Sequence, residues 1–141
     1  INGSRATIAW HHDQGAATAV YDLYVARFDG TNWIAPQLVE ARTDNAAQAS
    51  IAIDNQGNIS VAFQQSDGTA TSLYVNRFTQ SAGTWSGATL RESSTTAINN
   101  PQIAFDSNGN GLLIYRTGSD IRAQRYTRST NTWAATEVTL D

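Results

Sequence analysis

The sequence predicts an all-β protein that consists of about three tandem repeats. A short motif, Ile51-Ala-Ile-Asp54, returns 52 positions later as Ile103-Ala-Phe-Asp106. Apolar residues alternate with other residues over short runs such as Ile59-Ser-Val-Ala-Phe63, which is the period of a β-strand. Turn sequences rich in Asp, Asn and Gly separate the runs, and no segment has the apolar spacing of an amphipathic helix.

The repeat extends through most of the chain. Leu23-Tyr-Val-Ala-Arg-Phe28 matches Leu73-Tyr-Val-Asn-Arg-Phe78, and both match Ile121-Arg-Ala-Gln-Arg-Tyr126. Matching positions are 48 to 53 residues apart, close to the ~40–50 residues of a four-stranded β-propeller blade. We therefore predict three blades, at about 1–48, 49–100 and 101–141.

Each complete repeat is predicted to contain four antiparallel strands. In the second repeat they are 50–54, 58–65, 72–79 and 86–92, and in the third 102–106, 111–117, 121–127 and 134–140. The first repeat begins near Arg5 and lacks its opening strand, so eleven strands are expected. The alternation predicts a core that includes Ile8, Trp10, Ile51, Ile53, Val61, Phe63, Ile103, Phe105, Leu113 and Tyr115.

The composition disfavours several functions. Only 15% of the 141 residues are charged, the net charge is −3, and all nine basic residues are Arg, dispersed along the chain. A nucleic-acid partner is therefore not expected, because such proteins carry a basic stripe. The chain has no Cys, which excludes disulfides and thiolate sites, and no apolar run long enough for membrane insertion. Because the repeat opens in mid-pattern at Ile1, we interpret the chain as a fragment of a longer array.

Pro101-Gln-Ile-Ala-Phe-Asp106, the turn at Gly109-Asn110 and the strand that ends in Arg125-Tyr126 carry a family resemblance. The chain resembles tandem propeller repeats of large exported bacterial proteins. Its blade layout, with a Trp near the turn between the third and fourth strands, is also similar to that of sialidase-type propellers and bacterial propeller lectins. The sialidase Asp box is not intact, since only Thr84-Trp85 remains of it. The resemblance implies an extracellular or cell-surface bacterial protein.

An Arg recurs at one position of every third strand, as Arg27, Arg77 and Arg125. Because this Arg recurs in every repeat, we interpret it as structural, with each guanidinium paired to a carboxylate such as Asp54 or Asp106. We expect Arg77 and Arg125 to be mostly buried and bonded to a carboxylate or to backbone carbonyls. The alternative interpretation is an anion-binding ring.

A Trp also recurs after each third strand, as Trp33, Trp85 and Trp133. These residues either pack at the outer turn of each blade or offer indole faces on which a sugar can stack. We retain all three as candidate ligand-binding residues on the second interpretation.

His11-His12-Asp13 departs from the repeat, since the second repeat has Gln64-Gln65-Ser66 there. His11 and Asp13 are therefore candidate ligand-binding residues. Two side chains without a third do not make a metal site, so no metal and no cofactor is predicted.

The sequence favours a protein that is not an enzyme. No nucleophile elbow, zinc-protease motif or phosphate loop is present. Glu40, Glu92 and Glu137 lie on predicted fourth strands, at the periphery of a propeller, and none of them suggests the carboxylate pair of a glycosidase. We expect a non-catalytic module that binds glycans or mediates adhesion. A fragment of a sialidase-like hydrolase and a purely structural repeat remain as alternatives.

Three blades cannot close a ring, because propellers have about four to eight blades. The bare flanks of the first and last blades would expose apolar patches. Further blades of a parent chain would cover them, and so would a second copy in a six-bladed homodimer. We therefore expect that the isolated chain is not a stable monomer.

Overall fold

The computed structural model describes residues 1–15, 20–93 and 96–141. Within these ranges the protein is all-β, without a helix, and its strands form three antiparallel sheets. This confirms the predicted fold class at the level of an all-β protein with three successive antiparallel sheets.

The first sheet is a meander of three strands. It consists of β1 (Ala6–Asp13), β2 (Tyr21–Phe28) and β3 (Trp33–Leu38), with β2 in the centre. Ala9 lies opposite Val25 in the register of β1 and β2. In the described residues this sheet has no strand on the free side of β1.

The second and third sheets have an additional opening strand and share one topology. The second contains β4 (Ala46–Ile53), β5 (Ile59–Ser66), β6 (Thr71–Thr79), β7 (Thr84–Trp85) and β8 (Thr89–Glu92). The third contains β9 (Ile98–Phe105), β10 (Gly111–Thr117), β11 (Asp120–Thr127), β12 (Thr132–Trp133) and β13 (Val138–Thr139). The first four strands of each sheet pair in sequence order, and the last strand pairs with the third.

The described residues form thirteen strands, so the predicted count of eleven is wrong. The difference is that two short strands stand where one fourth strand was predicted in each of these two sheets. β7 and β12 lie just before the predicted ranges 86–92 and 134–140, and β8 and β13 lie within them. Residues 86–88 lie between the pairs Phe78–Trp85 and Val75–Thr89, where β6 has only two residues to oppose them. Gly87 has a φ of +84°, which interrupts the extended backbone. The third sheet is interrupted at 134–137, opposite two residues of β11.

The sheets pack face to face in chain order, so the middle sheet is covered on both sides. One cluster joins the first sheet to the second and contains Leu23, Val25, Val39, Ala46, Val61, Phe63 and Tyr74. The other cluster joins the second sheet to the third and contains Ala62, Leu73, Val75, Ile98, Ile103, Leu113 and Tyr115. Successive residues of a strand point to opposite faces, which is why β5 contributes to both clusters.

The predicted core is correct for the residues that face another sheet. Buried members are Val61, Phe63, Ile103, Leu113 and Tyr115, and half-buried members are Trp10, Ile51, Ile53 and Phe105. Ile8 is 50% exposed, so its assignment to the core is wrong. The reason is its position on the outward face of the first sheet, which no other sheet covers within the described residues.

Candidate functional site

The candidate site lies between two equivalent turns of the second and third sheets. In the first turn, the Asp54 carboxylate accepts hydrogen bonds from the backbone N–H groups of Gln56 and Asn58, each at 2.9 Å. Gly57 has a φ of +84°, a left-handed conformation that glycine adopts without a Cβ penalty. The sequence Asp-x-x-Gly-Asn therefore fixes a tight turn.

The second turn repeats this geometry and lies beside the first. Asp106 accepts hydrogen bonds from the N–H groups of Asn108 and Asn110, at 2.9 and 2.8 Å. The side-chain amide of Asn55 donates to the carbonyl oxygen of Ser107 at 2.6 Å. Two turns that are 52 residues apart in the chain thus form adjacent walls.

Arg77 crosses the space between these sheets. Its guanidinium donates to the Asp54 carboxylate at 2.6 Å and to the Ser60 hydroxyl at 2.8 Å. It also lies over the ring of Tyr126, at 4.6 Å from the ring centroid, in a cation–π contact. The Arg77 side chain is 11% exposed, and that of Asp54 is fully buried. The structure therefore brings together two of the predicted site residues, Arg77 and Asp54.

Arg27 and Arg125 have the same strand position but other surroundings. Arg27 is half-buried, with its guanidinium 3.8 Å from the ring centroid of Phe78 in the second sheet. Arg125 is exposed, and its guanidinium has no hydrogen bond or ion pair within the described ranges. Asp106, also exposed, binds only groups of its own turn. The prediction that Arg125 is mostly buried and bonded to a carboxylate or to backbone carbonyls is therefore wrong, because no further described sheet covers that face.

A cavity of about 640 Å³ opens between the two turns and the adjacent strand ends. Its volume falls within the ~300–1,000 Å³ typical of small-molecule sites. Polar groups dominate its lining, and no carboxylate is among the lining side chains. The lining residues are Gln56, Asn58, Arg77, Thr79, Ser81, Asn108, Asn110, Tyr126, Arg128, Ser129 and Asn131.

Hydrogen bonds hold several of these side chains in place. Arg128 donates from Nε to the Gln56 side chain at 3.2 Å and from its terminal nitrogen to the carbonyl oxygen of Asn108 at 3.4 Å. Tyr126 donates its hydroxyl to the Asn131 side chain at 2.6 Å. Arg128 therefore connects the two walls, and the polar lining is arranged before any ligand binds.

Trp133 is the predicted Trp that lies nearest to the cavity. A neighbouring pocket of about 150 Å³ shares Arg77, Tyr126 and Asn131 with the cavity and is also lined by Trp133. Trp133 is half-buried and packs against Tyr126, with ring centroids 5.3 Å apart. One indole therefore borders the polar cavity.

Trp85 and Trp33 occupy the equivalent positions of the other sheets, away from the cavity. Trp85 packs on Phe78 and donates its indole N–H to the Gln37 side chain of the first sheet at 3.0 Å. Trp33 packs on Phe28 but remains 57% exposed on the outward face of the first sheet. The three tryptophans thus share one packing arrangement, and the structure does not bring them together.

His11 and Asp13 are exposed at the end of β1 and do not line the cavity. Asp13 accepts a hydrogen bond from the backbone N–H of Gly15 at 2.9 Å, which gives it a local role in the turn. In the described parts of the chain, no group of three or more potential metal ligands occurs.

A carboxyl pair between the second and third sheets was missed by the sequence prediction. Glu92 and Glu137 are hydrogen-bonded to each other, and Glu137 also accepts hydrogen bonds from Tyr115 and Arg122. Burial raises the pKa of Glu92. Burial also acts to raise the pKa of Glu137, but the hydrogen bonds that Glu137 accepts from Tyr115 and Arg122 hold its pKa below the ordinary value. Of the two carboxyl groups, Glu92 is therefore the one that binds a proton more readily. The sequence did contain a signal for this pair, because Glu40 and Glu92 recur at matching positions of two repeats. Glu137 does not have the same spacing from Glu92, so the repeat did not indicate that the two would meet.

The first sheet also contains a carboxyl group whose pKa is raised by burial, that of Glu40. Burial raises the pKa of Glu40 from 4.5 to about 7, and the neighbouring Asp22 adds to the increase. The Glu40 carboxyl also accepts a hydrogen bond from the backbone N–H of Leu23 at 2.9 Å. Glu40 is therefore protonated in the folded protein at mildly acidic pH.

Replacement of Arg77 by alanine should destabilise the protein by about 3–5 kcal/mol, because it leaves the buried Asp54 carboxylate without its cation. Arg42→Ala is the matched control, since Arg42 pairs with Asp44 at 3.5 Å on the surface and both side chains are about half exposed. That change should cost about 0–1 kcal/mol. Urea denaturation at one protein concentration measures both, and equal losses would contradict a structural role of Arg77.

The contribution of Glu40 to the stability of the wild type should be lost as the pH rises from about 4.5 to about 7. In this window the folded state retains the Glu40 proton that the unfolded state releases, so the folded state binds more protons. Glu40→Gln should remove this part of the pH dependence, because the amide oxygen can still accept the hydrogen bond from the Leu23 N–H and the amide does not titrate. Thermal melts of the two proteins at a series of pH values provide the test, and parallel curves would refute the assignment.

Comparison of the chain with protein-family models and with curated proteins found no match. The part of the chain that the structure describes contains no helix that could cross a lipid bilayer. The case for a function therefore depends on the geometry of the cavity and of the packed sheets.

Proposed function

We propose that the chain is a non-catalytic module of β-propeller blades that binds glycans in the cavity between its second and third sheets. The observation that carries the proposal is the lining of that cavity, which combines side-chain amides, hydroxyls and guanidinium groups with an indole at its border. The proposal has two parts, the arrangement of the sheets and the chemistry of the ligand.

The packing of the opening strands supports a propeller arrangement. β4 and β9 lie side by side, since the Ser50 hydroxyl accepts a hydrogen bond from the Ile103 N–H at 3.1 Å. A second contact joins the Gln48 side chain to the N–H of Asn100 at 2.5 Å. Adjacent opening strands are expected where blades are arranged around a common axis. The repeated contact of an Arg with an aromatic ring of the next sheet supports the same arrangement.

The cavity chemistry suits a sugar. Each hydroxyl of a sugar both donates and accepts hydrogen bonds, and the amides of Asn108 and Asn131 offer both kinds of partner. Arg128 adds charged donors, which form stronger hydrogen bonds than neutral ones. The indole of Trp133 offers an apolar surface for the C–H face of a sugar ring.

Binding without hydrolysis is favoured by the state of the carboxyl groups. A glycosidase positions two carboxyl groups about 5–10 Å apart on either side of the scissile bond. Glu92 and Glu137 instead contact each other, and the Glu137 carboxylate already accepts hydrogen bonds from Tyr115 and Arg122. We place the module outside a bacterial cell, in adhesion to glycans, on the basis of the family resemblance alone.

A glycan array that carries neutral and acidic glycans should identify a ligand, whose Kd is then measured by titration calorimetry. Arg128→Ala should weaken binding by about 1.5–3 kcal/mol, roughly 10- to 150-fold, because it removes charged donors from the cavity. Arg42→Ala is the control and should retain the wild-type Kd, since Arg42 is exposed and does not line the cavity.

An array without any binder would overturn the proposal, as would an Arg128→Ala variant with the wild-type Kd. Release of reducing sugar from the bound glycan would instead favour the hydrolase alternative.

A further inference from the structure

The two interfaces between sheets use the same Arg-on-aromatic contact. Arg27 of the first sheet lies over Phe78 of the second, at 3.8 Å from the ring centroid. Arg77 of the second sheet lies over Tyr126 of the third, at 4.6 Å. In each case the sheet that comes earlier in the chain donates the cation and the next sheet provides the ring. This contact therefore gives the stack of sheets a direction.

The third sheet ends the stack with an unused donor. Arg125 has the strand position of Arg77, because Arg125 faces Leu112 in the register as Arg77 faces Ser60. It is exposed and has no ion pair or hydrogen bond through its guanidinium in the described ranges. Leu112 is 47% exposed beside it, whereas Ser60 is fully buried. The outward face of the third sheet therefore has the residues of an interface but not its partner.

The first sheet begins the stack with an unused acceptor. Phe28 has the position of Phe78, and it packs on Trp33 as Phe78 packs on Trp85. Ile8 is 50% exposed at the position where the second sheet has Val61, which is fully buried. Apolar and aromatic side chains thus line the outward face of the first sheet, with no described Arg over Phe28.

We infer that the outward face of the third sheet binds the outward face of the first sheet of a second copy of this chain. In this junction Arg125 lies over the partner's Phe28, as Arg77 lies over Tyr126 within one copy. Each copy supplies one donor face and one acceptor face, so two copies form two identical junctions. The resulting ring has six sheets, within the range of about four to eight blades in propellers. The second copy is the occupant because the complementary face belongs to this same chain.

The inference rests on the packing of the sheets and is independent of glycan binding. The cavity lies between the second and third sheets of one copy, so a monomeric variant should still bind any glycan that the wild type binds. Failure of the junction and failure of the glycan site are therefore separable.

Light scattering of the full chain at micromolar concentration tests the junction. The wild type should have twice the chain mass of 15.2 kDa. Ile8→Arg and Leu112→Arg each place a charge on one outward face, at side chains that are already about half exposed in one copy. Each variant alone should have the mass of one chain and retain the β-sheet circular dichroism spectrum of the wild type. Arg128→Ala, which changes the cavity only, should remain dimeric.

A mixture of the two variants separates a head-to-tail junction from other dimers. The Ile8→Arg copy keeps an intact third sheet and the Leu112→Arg copy keeps an intact first sheet, so one junction can form. The mixture should therefore contain a dimer that neither variant forms alone. A monomeric wild type, a wild-type mass above that of the dimer, or a mixture that stays monomeric would each overturn the inference.

Discussion

The structure depends on one constraint, which is that the charge of Arg77, on the third strand of the middle sheet, needs partners in the interior. Arg77 meets this requirement in the interior, where Asp54 neutralises it and Tyr126 covers its planar face. A buried charge without such partners would be strongly destabilising. The position of Arg77 therefore determines what the facing sheet must carry, and Tyr126 provides the aromatic ring in the third sheet.

The same constraint connects the fold with the candidate site. Arg77 lines the polar cavity, but its charge is compensated by Asp54, whereas Arg128 presents its donors across the two walls. The Asp-x-x-Gly-Asn turns that form those walls also connect β4 to β5 and β9 to β10. The cavity is therefore a product of the repeat itself, because it arises where two equivalent turns of successive sheets meet.

The sequence was sufficient to predict the all-β class and the burial of residues such as Phe63 and Leu113, because strand periodicity and the repeat are local signals. It did not predict which faces lie at the ends of the stack. Ile8 and Arg125 have repeat positions that are covered in the middle sheet, but no sheet of the described residues covers Ile8 or Arg125.

Other features depend on contacts between repeats, which periodicity does not describe. The carboxyl pair of Glu92 and Glu137 joins two sheets at positions that do not match in the repeat. The cavity likewise requires two distant turns to lie side by side. The division of the fourth strand in the second and third sheets follows from extra residues, such as those around Gly87, that the third strand cannot oppose.

The central claim is that a cation–π contact between an Arg of one sheet and an aromatic ring of the next stabilises the packing of successive sheets. A double-mutant cycle between Arg27 and Phe78 tests it most directly, with Arg27→Met and Phe78→Leu measured singly and together by urea denaturation. Because the guanidinium of Arg27 lies 3.8 Å from the ring centroid, the account predicts a favourable coupling energy of about 0.5–2 kcal/mol. A coupling energy of zero within error would contradict it.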